Sequence, residues 1–219
     1  MLRFLCCLSL ALGLSAQAAP RVDVPSFPNP TCPIMGKRVS MPLFVDTEVG
    51  RFWVCCKPCY KKILANVEAA HKTAYPVVEA VANETCPVSG EPIGEHAVAV
   101  TLQAYRFKVC CAGCISAARQ HHQTVLAKVV SPALVDVGND TCPVDGEPVA
   151  ANAFVVVDGA IVHLSSPKRV DDVAADPAAV LGRARKIAAA QPPKPKHEHR
   201  TEPVDGAKAA GGADQKDGR

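Results

Sequence analysis

The chain has 219 residues, of which only ten are aromatic (six Phe, three Tyr, one Trp) beside 19 Pro, 14 Gly and 11 Cys. This argues against one large aromatic core and for small units held by something besides packing. Formal charge is +3, from 24 basic and 21 acidic side chains with the signs interspersed, and without a clustered basic face nucleic acid is not an expected partner.

Residues 1–18 read as an export signal: Arg3 supplies the positive end, Leu5 to Leu14 an apolar stretch too short to span a bilayer, and Ala16-Gln17-Ala18 a small-x-small cleavage site. The mature chain is expected to begin at Ala19, periplasmic or secreted, with no transmembrane segment once the signal is removed. Cys6 and Cys7 lie inside the apolar stretch, lack the flanking residues of a lipoprotein cysteine, and leave with the signal. Nine cysteines remain, an odd number in a compartment that permits disulfides, so complete pairing within one chain is impossible.

The rest of the chain repeats itself three times. The first copy (29–76) opens Asn29-Pro30-Thr31-Cys32-Pro33-Ile34-Met35-Gly36 and continues to Val54-Cys55-Cys56-Lys57-Pro58-Cys59. A second (83–131) opens Asn83-Glu84-Thr85-Cys86-Pro87-Val88-Ser89-Gly90 and continues to Val109-Cys110-Cys111-Ala112-Gly113-Cys114. The third (139–190) opens Asn139-Asp140-Thr141-Cys142-Pro143-Val144-Asp145-Gly146, but has Val162-His163-Leu164-Ser165-Ser166-Pro167 where the later cysteines should be. Openings recur 54 and then 56 residues apart, so the units are contiguous.

Each copy predicts a β-hairpin followed by a helix, an α+β class. Hairpins are read at Leu43 to Asp46 and Phe52 to Val54 around Gly50, at Val98 to Leu102 and Tyr105 to Val109, and at Ala153 to Val157 and Ala160 to Leu164 around Asp158-Gly159. Helical phase follows through Ile63, Leu64, Val67, Ala70 and Ala74, and through Ile115, Ala118, Val125, Leu126 and Val129. Tyr75-Pro76 and Ser131-Pro132 stop those helices; in the third copy Pro177 breaks the helical region, with Asp176 capping a second helix to about Ala190. Residues 191–219 hold four Pro, four Gly, eleven charged residues and no Ile, Leu, Phe, Trp or Tyr, which reads as a disordered tail; His197 and His199 fall in a solvated charged run.

A unit of about 50 residues lies in the size range where disulfides, metal or oligomerisation are commonly needed for stability. Cys32 sits in a tight turn, and Cys55, Cys56 and Cys59 lie where strand gives way to helix, where backbone N–H groups favour thiolate. One ion could join turn, strand end and helix start. The candidate ligands are Cys32, Cys55, Cys56 and Cys59, and Cys86, Cys110, Cys111 and Cys114, for about two ions per chain. Four thiolates suit Zn²⁺, two or three suit Cu(I), and both remain open; sulfur disfavours Ca²⁺ and Mg²⁺.

Cys32, 22 residues, Cys55, three residues, Cys59, and Cys86, 23 residues, Cys110, three residues, Cys114 resemble the TRASH and YHS group of small metal-binding modules, whose pattern is one cysteine, about twenty residues, then Cys-x-x-x-Cys. The resemblance covers 29–75 and 83–130, with 139–190 as a degenerate copy. It implies tandem treble-clef-like units and a role in trafficking, resistance or sensing of heavy metals, with a metal transporter or metal-receiving protein as partner. There is no Tyr-His-Ser tripeptide, and Cys56 and Cys111 are additions that leave the ligand set at three or four.

Two other readings compete. Cys32–Cys59 and Cys86–Cys114 could be disulfide staples, which leaves Cys55-Cys56 and Cys110-Cys111 without purpose. Cys56-Lys57-Pro58-Cys59 and Cys111-Ala112-Gly113-Cys114 could be redox pairs at helix starts, but each copy lacks the later strands of a thioredoxin-like sheet; no catalysis is expected. His71 and His121 read as partly exposed helix residues, and His122 lies roughly 12 Å along a regular helix from Cys114, too far to share its ion. His96 has no partner at useful spacing. His163 aligns with Cys110, and with Cys142 beside it the third copy offers two ligands and is expected to hold no metal.

Overall fold

The computed structural model describes residues 20–192. Residues 1–18, expected to be an export signal and holding Cys6 and Cys7, and the part of the expected tail beyond Pro192, with His197 and His199, lie outside the described residues. Within them the architecture is mixed α+β, with six α-helices and three small sheets.

A short strand β1 (Val22–Asp23) precedes the first copy, which contributes β2 (Phe44–Thr47), β3 (Gly50–Trp53), α1 (Pro58–Ala65) and α2 (Val67–Ala74). After β4 (Glu79–Ala80), the second copy gives β5 (Val98–Leu102), β6 (Tyr105–Val109), α3 (Gly113–Gln120) and α4 (His122–Val130). After β7 (Val135–Asp136), the third gives β8 (Phe154–Val157), β9 (Ala160–His163), a 3₁₀ turn at Pro167–Arg169, α5 (Val170–Ala175) and α6 (Pro177–Ala190).

The hairpins fall where alternation placed them. Val98 pairs with Val109, Val100 with Phe107 and Leu102 with Tyr105, so one face of β5 and β6 enters the core. Asp158 and Gly159 have φ of 47° and 78°, the left-handed pair that a two-residue turn between twisted strands requires.

The continuous helix expected in the first two copies is two helices in each. The break falls at Asn66 and His121, as it does at Asp176 in the third copy, so it recurs every 55 residues. At Asn66 the reason is local: its side chain accepts the Ala69 N–H at 3.0 Å, and a side chain that caps a new helix competes with continuing the old one. Asp176 does the same for Ala179 at 3.1 Å, ahead of Pro177, as its sequence predicted. His121 lies between helices rather than in one, and His71 sits within α2.

Each linker strand joins the hairpin of the following copy: β4 runs parallel to β6 and β7 parallel to β9. Strand β1 instead pairs antiparallel with β8 of the third copy, tying the start of the described chain to its end. Each copy has its own buried cluster, centred on Phe52 and Ile63, on Phe107 and Leu126, and on Val162 and Leu181. A smaller cluster packs Ala127 of α4 against Phe154, Val156 and Ile161 of the third hairpin.

Polar groups also bridge the copies. Gln103, fully buried in the β5–β6 turn with φ 51°, packs against Gly50 so closely that a Cβ there would collide with it. Its side-chain amide donates to Phe27 C=O at 2.6 Å and to the Tyr75 hydroxyl at 3.1 Å, and accepts from Gln123. His122 beside it is 1% exposed, with Gln123 Nε2 3.0 Å and Asn152 Nδ2 3.2 Å from its ring nitrogens.

Candidate metal centre

The turn that aims the first cysteine is the same in all copies. Cys32 N–H donates to Lys37 C=O and Gly36 N–H to Cys32 C=O, both at 2.8 Å; Cys86 with Glu91 and Gly90, and Cys142 with Glu147 and Gly146, repeat it at 2.7–2.9 Å. Gly36, Gly90 and Gly146 close the turns at φ of 63°, 78° and 76°, where a side chain would be strained.

The opening asparagine fixes the turn to the hairpin. Asn29 donates to Trp53 C=O at 2.9 Å and accepts Trp53 N–H at 2.8 Å, acting as an extra strand rung made by a side chain. Asn83 makes the same pair with Lys108, and Asn139 with His163. Sequence reasoning used these asparagines only to mark the openings. Their recurrence before each Thr-Cys-Pro was the available signal for a positioning role.

This clasp corrects one alignment. Since Trp53, Lys108 and His163 occupy the same place, Cys55 and Cys110 correspond to Ser165, and Cys59 and Cys114 to Arg169; His163 does not correspond to Cys110. The His163 ring turns instead to Asp136 on β7, with Nε2 2.8 Å from Oδ1.

In the first two copies the sulfurs converge. Cys32, Cys55 and Cys59 have their Sγ atoms within 4.8 Å of one another, as do Cys86, Cys110 and Cys114. Cys55 and Cys59 are 4.0 Å apart and Cys110 and Cys114 3.5 Å, bracketing the edge of about 3.8 Å that tetrahedral bonds of 2.3 Å generate. All these cysteines are buried except Cys55, which is half-buried. Cys56 and Cys111 are outside these triads: Cys56 lies 3.7 Å from Cys55 and 3.5 Å from Cys59, and Cys111 3.9 Å from both Cys110 and Cys114. The nine described cysteines are unbridged.

Electrostatics divides each triad. Burial opposes ionisation of Cys86, but N–H groups of Ser89, Cys110 and Val88 and the Ser89 hydroxyl outweigh it, drawing its pKa down to about 7. At Cys32 burial is likewise outweighed, by N–H groups of Cys55, Ile34 and Met35, and the pKa is lowered. Burial first, then neighbouring thiols, pushes Cys59 up to about 12 and raises Cys114 further. Each site thus pairs one thiol whose ionisation is favoured with two whose ionisation is opposed, and a bound cation would displace the protons of all three.

The third copy fills the same place without sulfur, apart from buried Cys142. Ser165 donates to Asp145 Oδ2 at 2.7 Å and Arg169 Nε donates to it at 2.8 Å. The Ser165 hydroxyl, followed by the Glu147 N–H, Cys142 and Arg169, holds the Asp145 carboxyl well below the usual range.

Among the described residues no helix is long and apolar enough to cross a membrane. No family model matches the chain, and comparison with curated proteins and with solved structures gives no match.

Proposed function

We propose that this is an exported heavy-metal-binding protein that holds one ion in each of its first two copies, through Cys32, Cys55 and Cys59 and through Cys86, Cys110 and Cys114. The observation that carries the reading is the pair of sulfur triads, each drawn within 4.8 Å from turn, strand end and helix start. The resemblance of the spacing to TRASH and YHS modules supports it, with the copies as tandem treble-clef-like units and the third degenerate. Zn²⁺ and Cu(I) both suit the donors. Storage, trafficking or resistance is the role, with a metal transporter or metal-receiving protein as partner.

Binding without catalysis fits the sulfur arrangement. Each C-x-x-C pair shares its helix-side sulfur with a turn cysteine from elsewhere in the copy, which a metal ion uses and a two-thiol exchange does not need. Elemental analysis of mature protein, purified from its own compartment without added chelator, tests the reading. About two thiolate-bound ions per reduced chain are expected. Three ions, none above background, or repeated turnovers in an insulin-reduction assay would overturn it.

A further inference from the structure

In the second and third copies the third residue after the turn cysteine reaches into the site. In the second copy this is Ser89, whose Oγ lies 3.4 Å from Cys110 Sγ. In the third it is Asp145, whose carboxylate holds Ser165, the counterpart of Cys110, and Arg169, the counterpart of Cys114. Two copies thus show this position reaching the same strand-end partner, Cys110 or Ser165, from turns of the same geometry, and in the third copy it reaches the helix-start residue Arg169 as well. In the first copy the position is Met35.

We propose that Met35 is a thioether ligand that makes the first site a Cys₃Met site selective for a soft monovalent cation, Cu(I) or Ag(I), whereas the second, with the Ser89 hydroxyl at that position, is the harder of the two. This rests on the metal-binding reading above and adds a division of labour between the two triads. The turn is closed by the same hydrogen bonds as in the other copies, so the Met35 side chain departs from the same point. It is 49% exposed and is not among the side chains packed in the buried cluster of the first copy. The first site is also the more open, because Cys55 is half-buried where Cys110 is buried. Apart from Met1 the chain has two methionines, Met35 and Met41, both in this copy. A neutral thioether adds affinity for Cu(I) or Ag(I) and little for Zn²⁺, which gains more from charged or harder donors.

The test is competition of the reduced full chain against a chromophoric Cu(I) chelator, with Zn²⁺ titrated in parallel, for the wild type and for Met35→Ser, Ser89→Met and Met41→Ser. Expected are two classes of Cu(I) site in the wild type. Met35→Ser should weaken the tighter by about tenfold or more and Ser89→Met should tighten the weaker by a similar factor, while Zn²⁺ affinity stays within about threefold. Met41→Ser should change neither. Cu(I) affinity unmoved by Met35→Ser, or moved equally by Met41→Ser, overturns the assignment while leaving the triads as metal sites. If the wild type develops no thiolate-to-metal absorption band with Cu(I), Ag(I) or Zn²⁺, the metal reading falls and this proposal with it.

Discussion

Arg169 and Asp145 form, in the third copy, a cross-link at the point where the other copies gather sulfur: Nε and Oδ2 are 2.8 Å apart, joining helix start to turn. Asp172 adds a second partner to Arg169 at 3.3 Å. The third copy therefore carries its own closure, which no chelator can remove. In hydrogen exchange, a strong chelator should strip protection from α1 and α3 and leave α6 unchanged. Asp145→Ala should reverse the pattern for α6, lowering its protection in the presence or absence of metal.

Cys55 and Cys56 are neighbours in sequence with different positions relative to the triad. Cys55→Ser should remove one of the roughly two bound ions per chain, whereas Cys56→Ser should retain both with affinity little changed. Cys110→Ser and Cys111→Ser repeat the comparison in the second copy. Mass spectrometry under native conditions reads the count directly, and equal losses at Cys55 and Cys56 would make the site a four-thiolate one.

The asparagine clasp has a measurable energy. Asn139 is 2% exposed and satisfies both backbone groups of His163, so Asn139→Ala should cost about 1–3 kcal/mol in denaturant unfolding, the penalty of leaving buried backbone groups unpaired. Asn29→Ala should carry a similar cost and also weaken metal binding in the first copy, because it frees the turn that aims Cys32.

His122 makes stability fall in acid. Burial, only partly opposed by Asp46 at 3.6 Å and reinforced by Arg51 and His121, pushes its pKa from the ordinary 6.5 down to about 4. Between these values the unfolded chain binds a proton that the folded chain refuses, so stability present above about pH 6.5 is lost as the pH falls towards 4. The contribution is on the order of 3 kcal/mol. His122→Gln should flatten the pH dependence of unfolding across this window; an unchanged slope would place the acid sensitivity elsewhere.

The threefold repeat, the hairpins, the Asp176-Pro177 break and the cysteines that meet were legible in the sequence, because each depends on local periodicity or on spacing within one unit. Local pattern could not reveal the breaks at Asn66 and His121, since apolar phase runs through them; at Asn66 one side-chain bond decides where the helix restarts, while His121 restarts the helix without a side-chain cap. The displacement of His163 from the Cys110 position needed the Asn139 clasp, a contact across 24 residues. Tertiary structure alone set the pairing of Val22–Asp23 with β8 and the burial of Gln103, Gln123 and His122 between copies. Those groups look like surface polar residues in sequence, and they are tolerated inside because they satisfy one another within the second copy and because Tyr75 of the first copy and Asn152 of the third reach Gln103 and His122.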